Sequence, residues 1–162
     1  MSEGNQDDEF GIAFAFESYG VAIRVKGNDP ELLEEARILT DRVLLGNLEF
    51  IENREDIEHN FVIGRAGQNF VIGRDADFLS EYAEKETVME LFVRLLRMKV
   101  SEYARGWVFV HAGAVAWKGR GIIIPANSGK GKTTLVVELA KLGAEYYSDE
   151  YAVFDAEGNL HP

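Results

Sequence analysis

Apolar and polar positions alternate along residues 11–27, GIAFAFESYGVAIRVKG, with Ser18, Tyr19 and Gly20 at the centre, which predicts a β-hairpin. The polar, acidic residues 1–9 before it are expected to form a disordered, solvated tail. The period then changes. Asp29, Pro30 and Glu31 supply a cap, a first-turn proline and an acidic first turn. Leu32, Leu33, Ala36, Leu39 and Val43 follow at helical spacing, predicting a helix to about Leu45.

The string FVIGR occurs twice, at Phe61–Arg65 and Phe70–Arg74, around the turn Ala66-Gly67-Gln68-Asn69. It predicts two antiparallel strands with matched faces. Arg65 and Arg74 are expected to be solvated at strand ends rather than to form an anion-binding pair. Thr87–Glu90 spells a capping box ahead of Leu91, Phe92, Leu95, Leu96, Val100 and Tyr103, and Gly106 closes the stretch. This predicts the longest helix, with an apolar stripe in the core and Arg94, Arg97, Lys99 and Arg105 on its solvated face. After Gly106 the chain turns strand-like: WVFVHAGAVAW, a turn at Lys118-Gly119-Arg120, then GIIIP. These predict a hairpin. Ala144–Phe154 reads as one further strand with Asp149 and Glu150 in its middle.

Between the last two strands lies ANSGKGKTT, which fits [GA]-x-x-x-x-G-K-[ST] with Ala126 first, Gly131 and Lys132 as the fixed pair and Thr133 as the hydroxyl. Backbone N–H groups can wrap a phosphate only where no Cβ intrudes, and Gly129 and Gly131 supply that freedom. The helix that follows points its unsatisfied amides and positive dipole end at the same place. Lys132 is expected to reach the β- and γ-phosphates, and Thr133 to coordinate Mg²⁺ beside them. Asn127, Ser128, Lys130 and Thr134 complete the candidate cradle. Ile122–Ile124 provide the preceding strand, Leu135–Leu142 the helix, and Gly143 its C-terminal stop.

Charge narrows the class. The 162 residues carry 17 basic and 28 acidic side chains, a net charge of −11, which argues against a nucleic-acid partner. The local exception is Lys118, Arg120, Lys130 and Lys132, expected as a positive patch around the loop. There is no cysteine, and three histidines, His59, His111 and His161, are scattered, so a thiolate or histidine-rich metal site is not expected. No apolar run reaches a membrane-span length and the N-terminus does not read as a signal peptide, so the expected location is cytoplasmic, without a membrane partner.

From His111 through the phosphate loop to SDEYAVF the sequence resembles the ATP-binding domain of the HPr serine kinase/phosphorylases and HPr-kinase-related proteins. His111 lies 15 positions before Ala126 (126 − 111) and Asp149 lies 17 after Lys132 (149 − 132), as in that family. The resemblance covers residues 106–156. It implies ATP and Mg²⁺ as cofactors and transfer of phosphate to a hydroxyl of a protein, peptide or small molecule. It implies Asp149 as general base, Asp149 and Glu150 with Thr133 at the metal, and His111 lining the pocket. Glu150 departs from that family, which carries a second aspartate. The N-terminal hundred residues do not match its N-terminal domain, and the chain ends soon after the acidic strand where the family continues, so a truncated or shortened phosphotransferase portion is expected.

The fold expected is α/β: a tail at 1–9, a strand-rich α+β region at 10–105, and a nucleotide-binding portion at 106–162, with self-association through an open sheet edge possible. Two alternatives to the kinase stand beside it, a nucleotide- or phosphate-binding module without transfer and a P-loop ATPase.

Overall fold

The structure, a computed structural model, describes residues 10–44, 47–52, 54–75, 77–127 and 129–162, of 77–79 the backbone alone. The expected tail at 1–9 and the expected helix end at Leu45 lie outside the described residues. The fold is mixed α/β with strands outweighing helices, and the chain divides into two compact units, Met1–Tyr103 and Ala104–Pro162.

In the first unit, β1 (Ile12–Ser18) and β2 (Val21–Gly27) pair antiparallel around Tyr19 and Gly20, whose φ values of 51° and 74° give the primed turn a two-residue hairpin favours. The Asp29 carboxylate accepts from the amides of Glu31 and Leu32, starting α1 (Pro30–Val43). β3 (Glu49–Ile51) adds to β1, and β4 (His59–Ala66) runs parallel to β2. The repeated string forms β4 and β5 (Asn69–Arg74), with Phe61 opposite Arg74 and Arg65 opposite Phe70. The two arginines therefore sit at opposite ends of the hairpin. Arg65 stacks on Phe70 at 4.5 Å and pairs with Asp29. With β6 (Asp77–Tyr82) the sheet order is β3-β1-β2-β4-β5-β6.

α1 and α2 (Lys85–Tyr103) cover one face of this sheet with Leu32, Leu33, Ala36, Val88, Phe92 and Leu96 against Phe16, Ile23, Val25, Phe61 and Ile63, all buried. Phe61 meets Phe92 edge-on at 5.6 Å. Two expectations for α2 are corrected. The helix begins at Lys85, so Thr87 stands inside its first turn and not at the cap. Lys99 is 4% exposed, not solvated. Its ammonium lies 2.9 Å from the Asp75 carboxylate and 4.8 Å from the Tyr103 ring, because the face that carries it packs toward the β4–β5 end of the sheet. Asp75 takes φ 52°, held by hydrogen bonds in both directions with the Asn60 backbone.

In the second unit, β7 (Val108–Val110) and β8 (Ala112–Trp117) are separate strands, where the sequence reads as one. β8 pairs with β9 (Arg120–Pro125) and β10 (Glu145–Ser148) in the order β10-β8-β9; β7 pairs with β11 (Ala152–Phe154), which pairs with β12 (Leu160–His161). The expected strand Ala144–Phe154 is likewise split into β10 and β11. Alternate residues of β8 face two layers. Ala112 and Ala114 pack with Ala152 toward the second sheet, and Val115 packs with Val136 of α3 (Lys132–Lys141). Gly143, at φ 102°, ends α3: its N–H donates to Ala140 O and that of Ala144 to Leu139 O, the paired bonds of a Schellman stop.

Among the described residues no helix is long and apolar enough to cross a membrane.

Burial pushes the Asp75 carboxyl up, but the Asn60 amide and the Lys99 ammonium outweigh it and hold it below its ordinary value. A carboxyl depressed in the folded state stabilises above its unfolded pKa, and that stabilisation is lost as pH falls through the folded value. Asp75→Ala should cost about 3 kcal/mol in urea unfolding at neutral pH by leaving Lys99 buried and unpaired. It should also remove part of the wild type's loss of stability on acidification.

Candidate functional site

β9 ends at Pro125 opposite Ala112, the first residue of β8, and the chain then enters the loop that leads to α3. Gly129 and Gly131 take φ values of 76° and 81°, which side-chain-bearing residues rarely adopt, while the space around both is open. The requirement there is conformational and not steric. The Lys130 amide donates to Asn127 O at 3.3 Å; Ser128 lies outside the described residues. Gly131 caps α3 with no side chain to accept the first-turn amides, so those donors face the loop.

Lys132 opens the helix and is 8% exposed, and its ammonium nitrogen has no hydrogen-bond partner among the described residues. Its stem lies over β8 at Gly113, where an added Cβ would come 3.2 Å from Lys132 Cγ and 2.5 Å from Val136 Cγ2. A buried, unpaired ammonium is costly, and a bound anion would remove that cost. Thr133 and Thr134 are exposed on the same first turn.

The acidic pair is placed differently from its sequence reading. Asp149 and Glu150 are half-buried in a bend between β10 and β11, not in mid-strand. The Ser148 hydroxyl accepts from the amides of Glu150 and Tyr151, both at 3.1 Å, which turns the chain out of one sheet and into the other. The Tyr146 hydroxyl donates to Asp149 Oδ1 at 3.0 Å. His111 is exposed at the corresponding break between β7 and β8, its ring 5.7 Å from that of Tyr151.

Register brings these parts to one end of the sheet. Ser148 pairs with Ala114, Pro125 with Ala112, and His111 directly precedes Ala112. The start of the loop, His111 and the Asp149–Glu150 bend therefore share the end over which Lys132 packs. Lys118 and Arg120 do not join them. They sit in and beside the β8–β9 turn, where Trp117 pairs with Arg120, a strand length of roughly 16 Å from Pro125. The expected positive patch reduces to Lys130 and Lys132.

The arrangement fits an anionic phosphate chain: positive-φ glycines, uncapped helix amides and an ammonium without a partner. The fit to Mg²⁺ is narrower. Among the described residues no three His, Asp or Glu groups gather as a metal cage. An ion beside Thr133 would depend on phosphate oxygens and water for most of its ligands, which is its usual habit. No protein-family model, curated protein or solved structure matches the chain.

Gly113, Ser148 and Tyr146 escape a reading of the sequence, although a glycine inside the apolar run HAGAVA is the mark of a close approach. Gly113→Ala should push α3 away from β8 and cost about 1–3 kcal/mol in thermal or urea unfolding. Gly129→Ala, in open space, should cost only the strain of its positive φ, about 1–2 kcal/mol.

Proposed function

We propose that the loop from Ala126 to Thr134 binds the phosphates of a nucleotide. In this reading the chain is an ATP-binding protein related to the HPr kinases, a Mg²⁺-dependent phosphotransferase acting on a hydroxyl of a protein, peptide or small molecule. The observation that carries the reading is the Lys132 ammonium, buried at the start of α3 and without a partner among the described residues. Structural lysines are solvated or paired, as Lys99 is with Asp75.

Bound ATP would supply the phosphoryl group, and Mg²⁺ would offset the charge on its oxygens. Lys132 and the first-turn amides of α3 hold and orient the phosphates, which supplies the positioning on which such transfers depend. Thr133 offers its hydroxyl at the same turn. Asp149 is the candidate base for the acceptor hydroxyl, kept near the loop by the Ser148 bend and oriented by Tyr146. Glu150 is the second carboxylate of that bend, and His111 lines the same end of the sheet. A second reading, a phosphate-binding module without transfer, draws support from the Tyr146 hydrogen bond that already occupies one Asp149 oxygen.

Calorimetric titration of Mg-ATP and Mg-ADP into the purified chain, beside Lys132→Met, tests the binding step. The wild type should bind both, and the variant should lose roughly 10- to 100-fold in affinity. In the absence of nucleotide the same variant should be more stable than the wild type by about 1–3 kcal/mol, because it removes a buried ammonium that nothing satisfies. Failure of the wild type to bind either nucleotide would sink the proposal. Transfer of labelled γ-phosphate that disappears in Asp149→Ala would decide for the kinase over the binding module.

A further inference from the structure

We infer that the chain phosphorylates itself on Tyr146, a phenolic hydroxyl already in place at the candidate base. This rests on the nucleotide reading above and names an acceptor for it. The Tyr146 hydroxyl donates to Asp149 Oδ1 at 3.0 Å, which is the contact a general base makes with the hydroxyl it deprotonates. The side chain is 53% exposed, so the hydroxyl is not sealed in a core and can be reached by a substrate.

Register puts this tyrosine on the same side of the sheet as the lysine. Directly paired residues of an antiparallel ladder project to one face, and Tyr146 pairs with Val115, which packs against Val136 of α3. Gly113, two residues before Val115, faces the same helix, and the Lys132 stem crosses β8 there. Tyr146 and Lys132 therefore share the α3 face. Because β10 runs antiparallel to β8, the direction from Tyr146 to Asp149 is the direction from Val115 to Gly113. The Tyr146 side chain thus reaches toward the end of the sheet at which α3 begins. Its neighbour Tyr147 projects to the other face, where it packs with Ala112 and Ala114. Of these two adjacent tyrosines, Tyr146 is the one that meets both the base and the helix face.

The step balances. The Tyr146 oxygen attacks the γ-phosphorus of ATP, the bond from that phosphorus to the β–γ bridging oxygen breaks, ADP leaves with the electron pair, and the phenolic proton passes to Asp149. The product has no phenolic proton left to donate and sets new negative charge beside Asp149, so the two side chains part.

The test is incubation of the whole chain with γ-labelled Mg-ATP, with the phosphate mapped by peptide mass spectrometry and Mg-ATP binding measured by calorimetry on the same sample. Thermal melts would verify that each variant is folded. Label should settle on Tyr146 at a rate per chain independent of protein concentration, and should be absent from Tyr146→Phe and Lys132→Met. Asp149→Asn should label roughly 100-fold more slowly or not at all. A second readout needs no turnover. A non-hydrolysable ATP analogue with Mg²⁺, at about ten times its dissociation constant, should slow nitration of Tyr146 by tetranitromethane about tenfold and leave Tyr147 unchanged. Mg-ATP binding without phosphate on Tyr146, label on another residue instead, a rate that rises with protein concentration, or nitration indifferent to the analogue would each overturn the inference and leave the nucleotide site standing. Absence of Mg-ATP binding would overturn both.

Discussion

A helix can approach a strand as closely as α3 approaches β8 only where the strand carries no side chain, and Gly113 is that place. From this contact follow the burial of Val136, the course of the Lys132 stem across the sheet and the withdrawal of its ammonium from water. The loop glycines act in another way, by adopting backbone angles that other residues resist. One glycine sets the distance between layers; two others set the path of the chain between them. The loop and its helix need both.

Two buried lysines show the same physics with opposite outcomes. Lys99, in the first unit, meets Asp75 and an aromatic face, so its charge is compensated within the fold. Lys132, in the second, has no such partner among the described residues. Desolvation costs the two comparably, and the difference is that the fold supplies a counter-charge to one and, among the described residues, none to the other.

Local signals were the legible ones. The Asp29-Pro30-Glu31 start, the Tyr19-Gly20 turn, the Gly67 hairpin and the Gly143 stop each depend on the conformational habits of a few adjacent residues, and a reading of the sequence recovers them. The positive-φ glycines Gly129 and Gly131 between β9 and α3 are legible for the same reason. What sequence could not reveal is tertiary. WVFVHAGAVAW and AEYYSDEYAVF are unbroken strand-like runs, and nothing in their periodicity says that each leaves one sheet for another at His111 and at Ser148. Basic residues close in sequence to the loop, Lys118 and Arg120, are carried to the far end of β9 by the very hairpin that was expected. Lys99 reads as a surface residue until its partner at the end of β5 is known.

The two breaks lie side by side, so that the acids and His111 hang on a seam between two small sheets while the loop is framed by one sheet and its helix. This is a modular division of labour. Substitutions along the seam can reshape that end of the sheet without disturbing the loop and its helix, and the loop can stay fixed while the seam varies. A fold arranged in this way can vary its seam faster than its loop.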